Sequence, residues 1–255
     1  MTDFLLIHGA GHGAWVWDEV KGAIENSMRA KTKIHHHLYS PGTILAPDLP
    51  GHGARYSVDD PVRLNFDDAV DSLLNQIEAF GLKKPVVVAH DLSGLIALEL
   101  IRRMEEPPKG LLLVGAAVPD LFHTVGEMLP LPIRILLAGL RFLPGTPPES
   151  VVLHKEIGGR ILCSDMPYSW ASSRVVGRLC PIPLRVFDAL PHPDALAPSC
   201  PVTYAVLARD WYIWPGSQRK MASSFPNART VELDSGHEAP ITHSAEITEL
   251  VMAFG

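Results

Sequence analysis

Asp91, Asp210 and His237 are the side chains in this sequence whose types and settings suit the making and breaking of bonds to carbon. Asp91 follows the apolar run Pro85-Val86-Val87-Val88-Ala89-His90 and precedes Leu92-Ser93-Gly94 and the helical pattern Leu95-Ile96-Ala97-Leu98. The small residues Ala89 and Ser93 flank the turn on either side of it. That spacing marks a nucleophile elbow, a strained strand-to-helix turn that pushes one side chain out above a sheet and tolerates no bulk beside it. Serine normally stands there. A carboxylate is a different reagent: it has no proton to lose at neutral pH and needs no base to activate it. It attacks saturated carbon to give a stable alkyl ester, whereas attack on an ester carbonyl would give a reactive mixed anhydride. Moving the frame to Ser93 gives Asp91-Leu92-Ser93-Gly94-Leu95, with large residues at both positions that must be small, so the frame centred on Asp91 fits better.

Further segments suit the elbow. His8-Gly9-Ala10-Gly11-His12-Gly13 follows the apolar run Phe4-Leu5-Leu6-Ile7. A glycine-rich loop after a strand lets a backbone N–H approach a reacting atom, and the Leu92 N–H would be the second donor of an oxyanion hole. Val206-Leu207-Ala208-Arg209-Asp210 sets a carboxylate at a strand end, and Asp234-Ser235-Gly236-His237 sets a histidine after the last strand. The order nucleophile, acid, histidine is that of the α/β-hydrolase triad. Taken singly, Asp210 reads as a turn former and His237 as structural; the shared order lifts both. Asp234 is a weaker candidate for the acid. His90 reads as packed, and Asp48 and His52 as parts of a structural turn.

Composition narrows the classes. A chain of 255 residues, 47% hydrophobic, suits one α/β domain with an insertion. A net charge of −6 gives no footprint for nucleic acid. Cys163, Cys180 and Cys200 lack metal or redox spacing and read as free thiols of a reducing, cytoplasmic compartment. Met1-Thr2-Asp3-Phe4 does not resemble a signal peptide. The stretch 129–143 is interrupted by prolines and arginines and is too short to span a bilayer. His35-His36-His37 reads as an exposed connection, because adjacent histidines do not converge on one ion. Neither a metal nor a cofactor is expected, and the expected partner is a small-molecule substrate.

Strands are expected at Phe4–Ile7, Thr43–Ala46, Val86–His90, Leu111–Val114, Pro201–Ala208 and Thr230–Leu233. Helices are expected at Trp15–Arg29, Ser93–Met104 and Thr242–Phe254, and where Ala69, Val70, Leu73, Leu74, Ile77 and Phe80 recur at helical steps before a stop at Gly81. Continuous apolar strands alternating with helices imply a mostly parallel, doubly wound sheet covered on both faces. The alternation breaks in a proline-rich stretch, so 1–118 and 199–255 read as the core and 119–198 as a helical cap over the edge where ligands bind.

Along nearly its whole length the chain resembles the α/β-hydrolase superfamily. The segment Leu6-Ile7-His8-Gly9-Ala10-Gly11-His12-Gly13-Ala14-Trp15 is similar to the branch of plant hydroxynitrile lyases, methylesterases and their bacterial relatives. The less specific Ala46-Pro47-Asp48-Leu49-Pro50-Gly51-His52-Gly53 is widespread in the superfamily. The resemblance implies oxyanion donors from the Ala10 and Leu92 amides, with Asp210 and His237 as the charge-relay pair. It breaks at Asp91, and at Glu238, where the lyases carry a lysine. An elbow aspartate instead resembles epoxide hydrolases and haloalkane dehalogenases. Leu92 stands where those often have a halide-holding tryptophan, and Ser93-Gly94-Leu95 lacks the arginines of fluoroacetate dehalogenases. Epoxide hydrolases use a cap tyrosine to protonate the opening ring, a role that falls on Tyr168 in Asp165-Met166-Pro167-Tyr168-Ser169-Trp170 if it does not simply pack there. His12, Tyr168, Trp170 and Glu238 are assigned to the substrate pocket.

Three readings follow. In the first, an epoxide-hydrolase-like enzyme forms an ester on Asp91 and His237-activated water cleaves it. In the second, Asp91 is a non-covalent base in a cofactor-free lyase, isomerase or cyclase. In the third, the scaffold binds a ligand without turnover.

Overall fold

The computed structural model describes residues 2–34, 42–143, 145–146, 149–153 and 155–255, so the His35-His36-His37 run lies outside the described residues. The strands are β1 (Phe4–Ile7), β2 (Ile44–Leu45), β3 (Val86–His90), β4 (Gly110–Val114), β5 (Ser150–Val151), β6 (Ile182–Pro183), β7 (Val202–Leu207) and β8 (Arg229–Leu233). Six of them form a wholly parallel sheet in the order β2-β1-β3-β4-β7-β8. The architecture is the α/β-hydrolase fold expected from the sequence, with β2 shorter than the apolar run 43–46 suggested.

Alternation along the strands divides the core. Leu5, Ile7, Val87, Ala89, Leu111 and Leu113 face one side of the sheet. There they meet helices α2 (Phe66–Ala79) and α3 (Gly94–Arg103). Phe4, Leu6, Val86, Val88, Leu112 and Val114 face the other. They pack against helix α1 (Asp18–Ile34) through Val20, Ile24 and Met28, and against a C-terminal helix through Ile247 and Val251. Both faces are apolar because both are covered. Each such Val, Leu, Ile, Phe or Met side chain contributes roughly 1.5–3 kcal/mol when fully buried.

The local signals act as physics requires. Asn65 and Asp68 form a reciprocal capping box that starts α2. Gly81, at φ +62°, ends the segment in the left-handed region. Phe80 lies past the helix and is 59% exposed, so the apolar stripe is one residue shorter than its spacing suggests. At the N-terminal end the expected helix 15–29 begins as a tight turn, Ala14–Trp17, before α1.

Between β4 and β7 the chain forms α4 (Leu131–Leu140), α5 (Lys155–Ile161) and α6 (Tyr168–Arg174), with β5 and β6 paired antiparallel. Val151, Leu153, Leu162, Ile182 and Phe187 of this segment join the core cluster that contains Leu92 and Leu95. The chain ends in α7 (Pro215–Ala222), α8 (Ala239–Thr242) and α9 (Ser244–Met252). The C-terminal helix expected at 242–254 is thus found two residues shorter at each end, starting after His243, which lies outside helical geometry at φ −128° and separates it from α8. No helix among the described residues is long and apolar enough to cross a membrane.

Candidate active site

Strand order reverses about β1, whose neighbours are β2 and β3. Loops leaving the C-terminal ends of β1 and β3 therefore part in opposite directions and open a crevice between them. Asp91 stands at the end of β3 with φ +60°, a left-handed conformation that a non-glycine residue adopts at a cost. Its surroundings hold it there. The Ala117 N–H donates to the Asp91 carbonyl at 2.8 Å, and a Cβ at Gly94 would overlap the Ala117 carbonyl. Gly9 is as constrained, since a Cβ there would overlap the Asp91 carboxylate. The Ser93 hydroxyl is buried and donates to the His8 carbonyl, which commits it to structure.

The carboxylate oxygens of Asp91 have different neighbours. Oδ2 accepts a hydrogen bond from the Ala10 N–H at 2.7 Å. Oδ1 is buried without a hydrogen-bond partner and lies 3.7 Å from His237 Nε2, which also has none. On the far side of the imidazole, His237 Nδ1 lies 2.8 Å from Asp210 Oδ2. Asp210 is itself fixed. Its Oδ1 accepts from the Tyr212 and Ile213 N–H groups at 2.7 and 3.0 Å, and Gln218 Nε2 donates to its Oδ2 at 2.9 Å.

Electrostatics follow from this sealing. Burial pushes the Asp91 carboxyl up to about 6, against the opposing pull of His237, His12 and the Ala10 amide. Burial disfavours the His237 cation, but Asp210, with help from Asp91 and Glu238, holds its pKa up at about 9. Between those limits the resting pair is carboxylate and imidazolium.

A family model described as the Alpha/beta hydrolase family matches residues 4–250. The chain belongs to that family. Methylesterase 9 of Arabidopsis thaliana is 34% identical over 98 residues, covering 38% of this chain and 33% of that protein. The alignment thus spans about a third of the length of that relative. The carbendazim hydrolyzing esterase of Nocardioides sp. (strain SG-4G) is 23% identical with 100% of both chains covered. Among solved structures, an extracellular alpha/beta-hydrolase from a Paenibacillus species superposes with a TM-score of 0.83 at 19% identity, covering 100% of this chain and 99% of that one.

Within this hydrolase the fold brings Asp91, Asp210, His237, Ala10 and Leu92 to one place, in the order the sequence suggested. Four pocket assignments fare differently. Tyr168 and Trp170, on the short helix α6, are 60% and 40% exposed, and Trp170 stacks under Arg174. They belong to the surface. His12 and Glu238 are buried close to the site, yet they bond to each other at 2.9 Å instead of lining a described cavity. Asp234 is exposed and paired with Arg209, so it is not the acid. His90 Nε2–H donates to the His237 carbonyl at 2.9 Å and so braces the loop that carries His237. Asp48 accepts from the Ala14 and Ala54 amides at 2.6 and 2.9 Å, as a turn former should.

Tyr212 is the residue that sequence reasoning missed. Its ring meets the His237 ring edge-on at 5.1 Å, and its buried hydroxyl has no partner. Tyr212 and Leu92 border a cavity of about 240 Å³ whose other walls include Leu129, Leu137, Val151, Ile182 and Phe187. Its position two residues after Asp210 was the available signal. Among the described residues, no cluster of three or more His, Cys, Asp or Glu side chains is placed to hold a metal ion.

Proposed function

We propose that this hydrolase cleaves a small apolar molecule at saturated carbon in two steps, through an alkyl ester on Asp91. One observation carries the reading: Asp91 Oδ2 is bound by the Ala10 amide while Oδ1 is left free beside His237. Residues 119–198 act as the cap that roofs the 240 Å³ cavity.

In the first step Oδ1 forms a bond to the substrate carbon as the bond from that carbon to its leaving oxygen breaks. The electron pair goes to that oxygen. Alkylation discharges Asp91 and removes one of the negative charges that held up the His237 pKa. The imidazolium then gives its Nε2 proton to the departing alkoxide, with the Tyr212 hydroxyl as a hydrogen-bond donor to the same oxygen. In the second step neutral His237, oriented by Asp210, takes a proton from water while hydroxide adds to the Asp91 carboxyl carbon. Oδ2 becomes the oxyanion, supported by the Ala10 and Leu92 amides, each typically worth about 3 kcal/mol of barrier. Collapse expels the second alkoxide, which takes the proton from His237. The new Asp91 carboxylic acid passes its proton to His237, restoring the resting pair. An epoxide meets these demands, since both oxygens end as hydroxyls of one diol.

A second reading keeps Asp91 as a non-covalent base for a lyase, isomerase or cyclase reaction. Its raised pKa of about 6 favours this reading, because a base works best when poised near the operating pH. Norfluorocurarine synthase 2 of Strychnos nux-vomica, 32% identical over 129 residues (47% of this chain and 40% of that protein), carries a synthase name on a related sequence.

Intact-protein mass spectrometry of His237→Ala with an epoxide panel separates the readings. A stable adduct on Asp91 supports the covalent route. Turnover by the wild type without an adduct in the variant supports the base. Tight binding with neither would make the protein a ligand-binding scaffold.

A further inference from the structure

The oxyanion side of the site is held by a second buried acid–imidazole pair that the reaction above leaves unused. His12 Nδ1 lies 2.9 Å from the Ala10 carbonyl oxygen. A carbonyl only accepts, so Nδ1 carries a proton. His12 Nε2 lies 2.9 Å from Glu238 Oε1, and the two side chains are 1% and 0% exposed. The other carboxylate oxygen, Oε2, is buried without a hydrogen-bond partner. As a packing device this is expensive: apolar residues of similar volume are often at least as stable as a buried ion pair.

Its position explains it better. Ala10 is pinned from both ends, its N–H by Asp91 Oδ2 and its C=O by His12. Glu238 directly follows His237 in the chain. His237, Asp91, Ala10, His12 and Glu238 therefore make a closed circuit, with Asp210 attached to His237 from outside it, so that an acid–imidazole pair stands on each side of one carboxylate.

We propose that Glu238 and His12 are a positioning pair for the oxyanion loop: Glu238 keeps His12 as an imidazolium, which clamps the Ala10 carbonyl and sets a fixed positive charge beside Asp91. The proposal rests on Asp91 working as a carboxylate. The charges around the pair agree with it. His12 faces Glu238, Asp91 and His237, and the imidazoles of His8, His52 and His90 lie near it. Burial drives those three toward the neutral form. Burial opposes the His12 cation most strongly and His237 opposes it too, but Glu238 and Asp91 together outweigh them and the His12 pKa is raised. Glu238 also acts on Cys163, whose thiol is kept protonated by burial first and then by Glu238 and Asp165.

The test is the titration of Asp91, followed by carbon-13 NMR of its carboxyl in the full-length protein without substrate. Glu238→Gln keeps the size and a hydrogen-bonding group but removes the charge. His12→Gln keeps a donor for the Ala10 carbonyl without a cation, and carries the test alone should Glu238→Gln not fold. In both variants the Asp91 midpoint should rise by about one pH unit or more. Turnover should lose kcat with its acid limb displaced by the same amount while KM holds, and Glu238→Asp should restore much of the wild-type midpoint. An unchanged midpoint in a folded variant overturns the proposal. A wild type that forms no ester on Asp91 would defeat the hydrolytic reading instead, and the titration would still judge the pair.

Discussion

Asp91 Oδ2 and the Ala10 amide nitrogen lie 2.7 Å apart, so the carboxylate of the elbow occupies the donor that the proposed oxyanion hole would use. A substrate carbonyl oxygen would have to displace it. The same donor serves without rearrangement when the oxyanion is built on Asp91 itself, as in the second step of ester cleavage.

Hydrolysis in heavy-oxygen water should label Asp91. In the proposed second step water attacks the Asp91 carboxyl carbon, so one of its oxygens would be replaced during turnover and would appear in peptide mass spectra of the recovered enzyme. Label confined to the product after many cycles would point to direct attack of water on the substrate.

Replacing Asp91 by serine should convert the chemistry. Asp210 and His237 are already 2.8 Å apart, and the Ala10 amide would be released by the loss of Oδ2. Asp91→Ser should gain hydrolysis of small activated esters and lose adduct formation with alkylating substrates. No esterase activity in a folded Asp91→Ser protein would mean that the His237 imidazole is misplaced for activating a hydroxyl.

The alkylation step should be bell-shaped in pH. Asp91 must be ionised, and it gains its proton as pH falls through about 6. His237 must be protonated to serve the leaving oxygen, and it loses that proton as pH rises through about 9. Rapid-quench measurement of adduct formation should therefore fall on both sides of that window; a rate flat from pH 5 to 10 would contradict the assigned proton states.

Gly9→Ala tests the placement of the carboxylate. The added methyl would overlap Asp91, and displacement of a reacting group by about 1 Å typically costs roughly 100-fold in rate. We expect kcat to drop by about that factor while circular dichroism shows a folded sheet.

Tyr212→Phe removes a hydroxyl that is buried without a partner. Stability should hold or rise, because an unsatisfied polar group is removed. Activity should fall by about tenfold or more if the hydroxyl meets the leaving oxygen. Equal activity of the two proteins would limit Tyr212 to shaping the cavity.

Much of the fold was legible because its signals are local. The elbow at Asp91, the glycine loop at 9–13 and the strand-end positions of Asp210 and His237 each follow from a short run of residues and its period. The failures are long-range. Nothing local separates an outward tyrosine from an inward one on a seven-residue helix such as α6, so the sequence places Tyr168 and Trp170 at a pocket whereas the fold leaves them 60% and 40% exposed. His12 and Glu238 drew notice singly, but a contact across 226 positions is invisible without the fold that closes it. Tyr212 became meaningful only once its ring met His237.

Asp91 is 1% exposed, and its Oδ1 touches neither solvent nor a donor. In water that oxygen would carry a hydration shell to be stripped before each attack. In the proposed route the stripping is done once, when the chain folds, and the carboxylate that meets the guest is already dry.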